Sequence, residues 1–446
     1  MQEKHLKLAT VSAMLLASSS SLALPFSGFD PRSMAMGGAG VAVGNASTAP
    51  IFNPALLSAI DAKERFAIAL PMGARIGDQD NLMSAIDAFQ KGNYSNNLDI
   101  ATTTYNSTQT GPNLSDVGNK IQILSDQLAT LGGKALTVDG GGALVIGVPK
   151  KHWGFAFYAD AAVAAGASMT YKDSQLFTDF NTATQTVAAC LTTPTVTCQN
   201  DIQADSLVQR FYPSATGTSG NTSSTFDTST EMQSTFGYRG ATLTEVGISV
   251  SNEFELANHS FSVGLTPKMV GAQLIDYSES INTSTTSTPS GDNYIAKYNM
   301  FNVDVGLAKS YNNGWRAGFV VKNLIPYSLE FKNFGVATGN KLELNPQARV
   351  GGSYQGKWGT VALDVDLSKN KPAGLEKESQ FVAIGSEFDL FKVVQLRAGY
   401  RADIGNTDNS VASIGAGLNV LGMNADLAVA GNDKQVGASF QLGLHF

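Results

Sequence analysis

The sequence predicts an all-β fold: an antiparallel transmembrane β-barrel of about fourteen strands, with an N-terminal hatch and a helical insert in an outer loop. Charged residues make up 15% of the 446 residues, against about 25% in ordinary soluble domains. Gly supplies 45 residues, and a Gly-rich, weakly charged chain suits long strands with polar loops. From residue 63 onward, segments of alternating polarity are joined by connections that alternate between long and short, which is typical of an up-and-down membrane barrel.

The N-terminus predicts a targeting segment. Lys4 and Lys7 form a basic start, residues 8–16 an apolar core, and residues 21–23 a small-x-small cleavage site, which together indicate a signal peptide over residues 1–23. The core is shorter than the ~20 residues that a membrane-spanning helix needs, which disfavours the alternative of an anchor. We therefore expect an exported chain in a Gram-negative outer membrane after the signal peptide is removed.

After the signal peptide, we divide the chain into a Gly/Ala-rich hatch, residues 24–62, and a barrel, residues 63–446. Two long outer-loop inserts, 77–135 and 172–233, lie on either side of a connection of only three residues. A soluble β-sandwich gives no reason for long and short connections to alternate in this way. An even strand count places both chain ends on the periplasmic side. The predicted strands are 65–76, 136–148, 153–171, 236–253, 258–275, 294–311, 313–324, 343–355, 357–368, 378–390, 393–404, 410–421, 422–431 and 434–446.

The chain has three tryptophans, Trp153, Trp315 and Trp358, and each directly follows a short connection. Indole favours the membrane–water boundary, because its body contacts lipid while its N–H reaches water. We expect a periplasmic girdle in contact with outer-membrane lipid. The alternative is three core tryptophans placed there by chance.

The last predicted strand carries Phe440, Leu442, Leu444 and Phe446 on one face and polar or small residues on the other. Such alternation predicts lipid outside and a polar lumen inside. A terminal aromatic residue resembles the outer-membrane assembly signal. Phe446 therefore implies the outer-membrane assembly machinery as a partner.

Motifs for enzymatic chemistry are weak or missing. There is no phosphate-binding loop, zinc-binding histidine pair or nucleophile elbow, so we expect neither an enzyme nor a cofactor or metal. A net charge of −7 gives no electrostatic case for nucleic acid. Cys190 and Cys198 are the two cysteines, and in an oxidising compartment they predict a loop disulfide; no nearby histidine supports the metal alternative.

A motif lies in the hatch at Asn53-Pro54-Ala55, where Asn53 is suited to cap a short helix that begins at Pro54. Together with the run Arg32-Ser33-Met34-Ala35-Met36-Gly37-Gly38-Ala39-Gly40, it resembles the N-terminal segment of the long-chain fatty acid transporter family of outer-membrane barrels (FadL/TodX). It is also similar to the related barrels described as TraF-type conjugal transfer proteins. The resemblance implies fourteen strands, a hatch inside the lumen and uptake of hydrophobic molecules through a kinked wall strand.

The insert 77–135 carries a helical pattern. Apolar residues recur at three- and four-residue steps and predict an amphipathic helix, with a second short helix over 81–91. The helices either pack on themselves as an outer cap or form a groove that collects a hydrophobic ligand. The candidate groove residues are Leu114, Val117, Ile121, Leu124 and Leu128.

Four charges fall on the predicted lumen face: Asp364, Asp366, Arg397 and Arg401. They either pair with one another across the barrel or bind a ligand.

The leading functional hypothesis is an outer-membrane channel for passive uptake of hydrophobic compounds such as long-chain fatty acids, with no visible energy-coupling motif. The alternative is a non-transporting structural or interaction barrel, an accessory to conjugal transfer or secretion. A third hypothesis, an outer-membrane hydrolase, predicts labelling by a serine-directed probe.

Overall fold

The computed structural model describes residues 21–22, 29–59, 66–215, 224–226, 231–256, 259–281, 292–371 and 374–445. Apart from Ser21 and Leu22, the predicted signal peptide lies outside these residues, and so does Phe446 with the predicted assembly signal. Ser21–Leu22 pairs in parallel with Asn370–Lys371.

Fourteen strands form one closed barrel, and every neighbouring pair is antiparallel. The predicted fold class is confirmed. The last strand closes the barrel by pairing with the first from Gln435↔Gly77 to His445↔Ala67. The strands are β1 Ala67–Gly77, β2 Ala135–Val148, β3 Gly154–Thr170, β4 Thr235–Leu256, β5 His259–Ser280, β6 Ile295–Ser310, β7 Trp315–Lys322, β8 Gln347–Gln355, β9 Gly359–Asp366, β10 Phe381–Leu390, β11 Val394–Asp403, β12 Val411–Val420, β13 Met423–Gly431 and β14 Gln435–His445.

The barrel wall has two heights. Strands β2 to β6 contain 14 to 22 residues, whereas β7 to β13 contain 8 to 10. About 9–11 residues are enough to cross a membrane. The tall strands therefore rise beyond the membrane, and they do so at the end that carries the long inserts.

The wall alternates as predicted, with apolar side chains outside and polar side chains inside. On β9, Leu363 is 48% exposed while Asp364 is 1% exposed, and on β11 Leu396 is exposed while Arg397 is buried. Exposed apolar side chains on a closed barrel are what a lipid-facing surface requires. The three tryptophans are more than half exposed and lie beside short connections at one end of the barrel, where an interfacial girdle would sit.

The segment before β1 contains three short helices, α1 (Pro31–Ala35), α2 (Ala49–Phe52) and α3 (Leu56–Ala59). The first insert contains α4 (Leu82–Gly92), α5 (Tyr94–Thr108) and α6 (Gly111–Leu131). The second contains α7 (Ser174–Thr192), α8 (Val196–Ala204) and α9 (Ser206–Phe211). No helix in the described ranges is long and apolar enough to cross a membrane.

The two inserts share one apolar core, which makes them a helical cap. The two helices predicted in the first insert are present as α4 and α6, whereas α5 and the helices of the second insert were not predicted. Cys190 and Cys198 form a disulfide between α7 and α8.

A further element was not predicted: the connection between β7 and β8 contains an antiparallel hairpin of Tyr327–Asn333 and Val336–Leu344. We name it the outer hairpin. Its two strands form a sheet of their own, separate from the barrel.

Candidate functional site in the barrel lumen

Residues 29–59, which we name the lumen segment, lie inside the barrel. Their apolar side chains are almost fully buried: Val41, Phe52, Leu56 and Leu57 are each at most 1% exposed. They pack against inward-facing residues of the wall such as Ala156 on β3 and Ala308 on β6. The barrel therefore has a packed core across its middle instead of an open channel.

Inward-facing glycines let the lumen segment approach the wall closely. A side chain at Gly306 on β6 would overlap Asn53, and one at Gly399 on β11 would overlap the backbone of Met36 and Gly37. Other wall glycines meet the segment in the same way. They are Gly147, Gly154, Gly264, Gly318, Gly385 and Gly415, and together they form a seat for it.

The Asn53-Pro54-Ala55 motif fixes the segment to β6. The Asn53 side chain is fully buried and its Nδ2 donates to the carbonyls of Val41 (3.0 Å) and Leu307 (3.1 Å). Its Oδ1 accepts the N–H of Ala55 at 3.1 Å. Asn53 thus accepts a backbone N–H in the turn that precedes α3, as a capping residue does, but α3 begins at Leu56 and not at Pro54. The bond to the wall strand could not be predicted.

An ionic anchor holds the other end of the segment. The guanidinium of Arg32 donates two hydrogen bonds of 2.8 Å to the Glu387 carboxylate on β10. Arg397 on β11 donates to the same carboxylate at 2.7 Å and also bonds Asp426 on β13. Each buried charge therefore has an opposite charge beside it, as burial requires.

A second anchor lies on β8 and β9. Asp364 Oδ2 accepts the backbone N–H groups of Gly40 (2.8 Å) and Val41 (2.9 Å), so this carboxylate holds the segment. Asp366 pairs instead with its cross-strand neighbour Arg349.

The ion pairs of Asp366 and Arg397 therefore join them to Arg349, Glu387 and Asp426 and not to each other. The strand register places Arg349 beside Asp366 and Glu387 beside Arg397, and strand register is not encoded in local sequence. Their side chains serve the wall and the lumen segment.

Arg401 differs from the other lumen charges. It is 9% exposed, its guanidinium lies over the Phe381 ring at 4.3 Å, and its Nε has no hydrogen-bond partner in the described part of the chain. It lines a cavity of about 40 Å³ between the lumen segment and the wall, together with Arg75, Gln435 and apolar groups such as Phe29, Met34 and Val411. The cavity thus offers two buried guanidinium groups in a mainly apolar setting.

An outer connection crosses the lumen above this cavity. Residues 374–377, which we name the crossing loop, leave β9 and reach strands on the opposite wall, where Leu375 lies against Gly166 on β3. Glu376 pairs with Arg75 on β1 at 3.4 Å, and Lys377 pairs with Asp80. Burial raises the pKa of Glu376 to about 8, against the opposing effect of the Arg75 charge.

At the short-turn end, the lumen segment faces a polar vestibule of about 790 Å³. Its lining includes Asn45, Arg316, Gln355, Gln395 and Asn424. Transfer of a hydrophobic molecule from an apolar site into such a polar space costs free energy. The segment therefore separates a wide polar compartment from a small, mainly apolar one.

The apolar stripe of α6 lies inside the cap. Leu114, Val117 and Ile121 are at most 8% exposed and belong to the core shared with α7, while Leu124 and Leu128 are half-buried. This placement favours the cap interpretation over the groove, because the stripe is used in helix–helix packing. No group of three or more His, Cys, Asp or Glu side chains within the described ranges is arranged to hold a metal ion.

Several known proteins are similar to this chain. Among solved structures, the Pseudomonas putida toluene transporter TodX is 12% identical, with 94% of this chain and 99% of that chain covered and a TM-score of 0.45. A TodX deltaS2S3 mutant, described as a monoaromatic hydrocarbon channel, is 12% identical, with the same coverage of both chains and a TM-score of 0.47. The CymD monoaromatic hydrocarbon channel is 10% identical, with 95% of this chain and 99% of that chain covered and a TM-score of 0.33.

No curated protein matches the chain. A family model described as "F plasmid transfer operon, TraF, protein" matches residues 50–366, which is more than half of the chain and includes Asn53-Pro54-Ala55, the helical cap and strands β1 to β9. The chain therefore belongs to this TraF family.

Proposed function

We propose that the protein is a passive channel for hydrophobic compounds in the outer membrane, with the lumen segment as its hatch. The observation that carries the proposal is the position of that segment, which fills the middle of a closed, lipid-facing barrel. Its anchors are polar and local, at Asn53, Arg32 and Asp364. A limited movement of the segment would therefore open the lumen while the strand ladders stay intact.

The cavity at Arg401 supports a ligand class. A mainly apolar site that also contains the buried guanidinium groups of Arg401 and Arg75 suits an amphiphile that has an apolar body and an anionic head, because the Arg401 Nε, which has no hydrogen-bond partner in the described part of the chain, gains a charge-assisted hydrogen bond. Long-chain fatty acids belong to this class. The cavity of about 40 Å³ holds only part of such a chain, so the segment must move for the remainder to enter.

The polar vestibule supports a sideways exit. A hydrophobic ligand that passed down into it would leave an apolar site for water, whereas lateral release through the wall leads to lipid. We propose that the hatch releases ligand toward the membrane and not toward the periplasm.

The experiment is flux of oleic acid into vesicles that contain the purified protein, with protein-free vesicles as background. We expect protein-dependent flux in the wild type and a several-fold loss in Arg401→Gln, which keeps a polar, hydrogen-bonding side chain but removes its charge. Ala402, a neighbour on the same strand, gives the control Ala402→Ser. Equal flux in protein-containing and protein-free vesicles would reject the transport proposal.

Membership of the TraF family favours a second candidate, a structural or interaction barrel that serves conjugal transfer. The lumen segment, crossing loop and outer hairpin all obstruct the lumen, as a non-transporting barrel would permit. This candidate predicts no oleic acid flux, a stable partner in pull-downs from conjugating cells, and loss of plasmid transfer when the gene is deleted.

A further inference from the structure

The outer hairpin covers an apolar area on the inside of the tall wall. Its buried side chains, Leu329, Phe331, Leu342 and Leu344, are at most 5% exposed and alternate along the two strands, so they form one face. That face packs on inward-facing residues of β4, β5 and β6: Ala241, Leu243, Val270, Ala272, Leu274, Ala296 and Met300.

An apolar inner wall is unusual, because the inside of a membrane barrel is ordinarily polar. The wall directly below follows the ordinary pattern. Lys268 pairs there with Glu245 (3.0 Å) and Asp304 (3.1 Å). On β5 the inner face thus changes from Lys268 to Val270 in one inward-facing step, and the apolar area is confined to the outer part of the wall.

The hairpin is held to this area by apolar packing, by the Arg239 guanidinium over the Phe331 ring at 5.8 Å, and by hydrogen bonds that come mainly from side chains. Tyr327 Oη donates to the carbonyl of Phe301 at 2.9 Å, and the Phe334 N–H donates to that of Asn293 at 2.7 Å. Tyr298 Oη donates to the carbonyl of Glu330 at 2.7 Å, and Asp276 accepts from Thr338 (2.7 Å) and Asn340 (2.8 Å). Its strands pair with each other and not with the barrel. A two-stranded hairpin alone is marginally stable in water, so this element can leave the wall without breaking the barrel.

The covered area borders the step between the tall and low walls. β6 pairs with β7 only from Val305 to Ser310, and the residues of β6 above Val305 have no ladder partner on that side among the described strands. At the end of β7 the backbone turns through Asn323, which has a φ of 55°. A molecule bound on the inner wall of β6 would therefore lie beside the outer end of the short strand β7, next to the surrounding lipid.

We propose that the inner wall of β4–β6 is a binding surface for a hydrophobic small molecule at the outer mouth of the barrel, and that the outer hairpin occupies it until the ligand takes its place. The inference rests on the proposed function for its ligand class. The hairpin and the ligand bury the same apolar side chains, so they compete. Weaker seating of the hairpin raises the population that can bind, and apparent affinity rises in proportion.

The test is equilibrium binding of the fluorescent probe N-phenyl-1-naphthylamine to the protein in lipid nanodiscs, with empty nanodiscs subtracted. Phe331→Asp places a charge on the buried face and should raise the apparent affinity about tenfold. Val336→Asp adds the same charge to a 69% exposed position of the same hairpin and should leave it unchanged. Adding Leu274→Asn to Phe331→Asp should remove the gain. Wild-type affinity in folded Phe331→Asp would overturn the inference.

A reversible lock covers the case in which Phe331→Asp does not fold. A disulfide from Asp276→Cys and Asn340→Cys should reduce probe binding, and reductant should restore it; wild type in reductant controls for the native disulfide. Equal binding by the locked and reduced forms would overturn the inference. If probe binding depends on the hairpin but no oleic acid flux is found, the transport proposal is rejected and this inference stands. If flux depends on Arg401 but probe binding does not depend on the hairpin, this inference is rejected and the transport proposal stands.

Discussion

Gly37→Ala tests how tightly the lumen segment is seated. The new Cβ would lie 2.6 Å from the carbonyl oxygen of Tyr400 and 2.9 Å from that of Ile384, so the segment must withdraw by about 0.8 Å to reach ordinary contact at roughly 3.4 Å. Overpacking of this kind costs about 1–3 kcal/mol. Gly37 also has a φ of +69°, which costs an alanine a further ~1 kcal/mol.

Gly38→Ala is the matched control. Gly38 also has a positive φ, but its new Cβ would meet only Arg401 Cδ, at 3.8 Å. The two variants therefore differ mainly in the steric term, about 2 kcal/mol, which corresponds to about thirtyfold in the opening equilibrium.

The assay is hydrogen exchange of the amides of Gly40 and Val41, which donate to Asp364. Exchange through local opening reports that equilibrium directly. We expect these amides to exchange about thirtyfold faster in Gly37→Ala than in Gly38→Ala. Rates within about threefold of each other would show that the segment is not seated against β10 and β11 as described.

Three further predictions concern other contacts. Asn53→Asp removes the donor to the carbonyls of Val41 and Leu307 and should weaken segment seating by about 2–6 kcal/mol, since buried groups left unsatisfied cost ~1–3 kcal/mol each. Unchanged hydrogen exchange of the segment would contradict this. The pKa of Glu376 is raised to about 8, so the crossing loop is seated most firmly below the ordinary glutamate pKa and loosens as pH rises through about 8. Limited proteolysis of the loop should therefore increase from pH 6 to pH 9. The variant Glu376→Gln should show no such pH dependence. Cys190→Ser with Cys198→Ser should lower the stability of the helical cap by ~2–3 kcal/mol, while the heat-dependent gel mobility of the barrel stays at its wild-type value.

Sequence was sufficient for the barrel because its signal is local. Two-residue alternation located the strands, so that β3, Gly154–Thr170, lies within one residue of the predicted 153–171. The outer hairpin was missed although it carries the same alternation, in Leu329 and Phe331 and again in Leu342 and Leu344. Phe334-Gly335 at its turn was the available signal.

The remaining differences are tertiary. The helix α5 is rich in Thr and Asn, which are weak helix formers, and it is stabilised by packing on α6. The partners of Asp364 and Arg397 depend on strand register and on the path of the lumen segment, and neither follows from local sequence. The burial of Arg401 beside Arg75 in a mainly apolar cavity can be recognised only when the neighbours of both residues are known.

The most direct test of the account is the permeability of reconstituted vesicles to N-phenyl-1-naphthylamine and oleic acid, measured for the wild type and for a variant that lacks residues 29–59. Heat-dependent gel mobility would first establish that the shortened barrel is folded. We expect a several-fold increase in permeability when the segment is removed, because the segment fills the lumen. Equal permeability of the two proteins would contradict the claim that residues 29–59 control passage through this barrel.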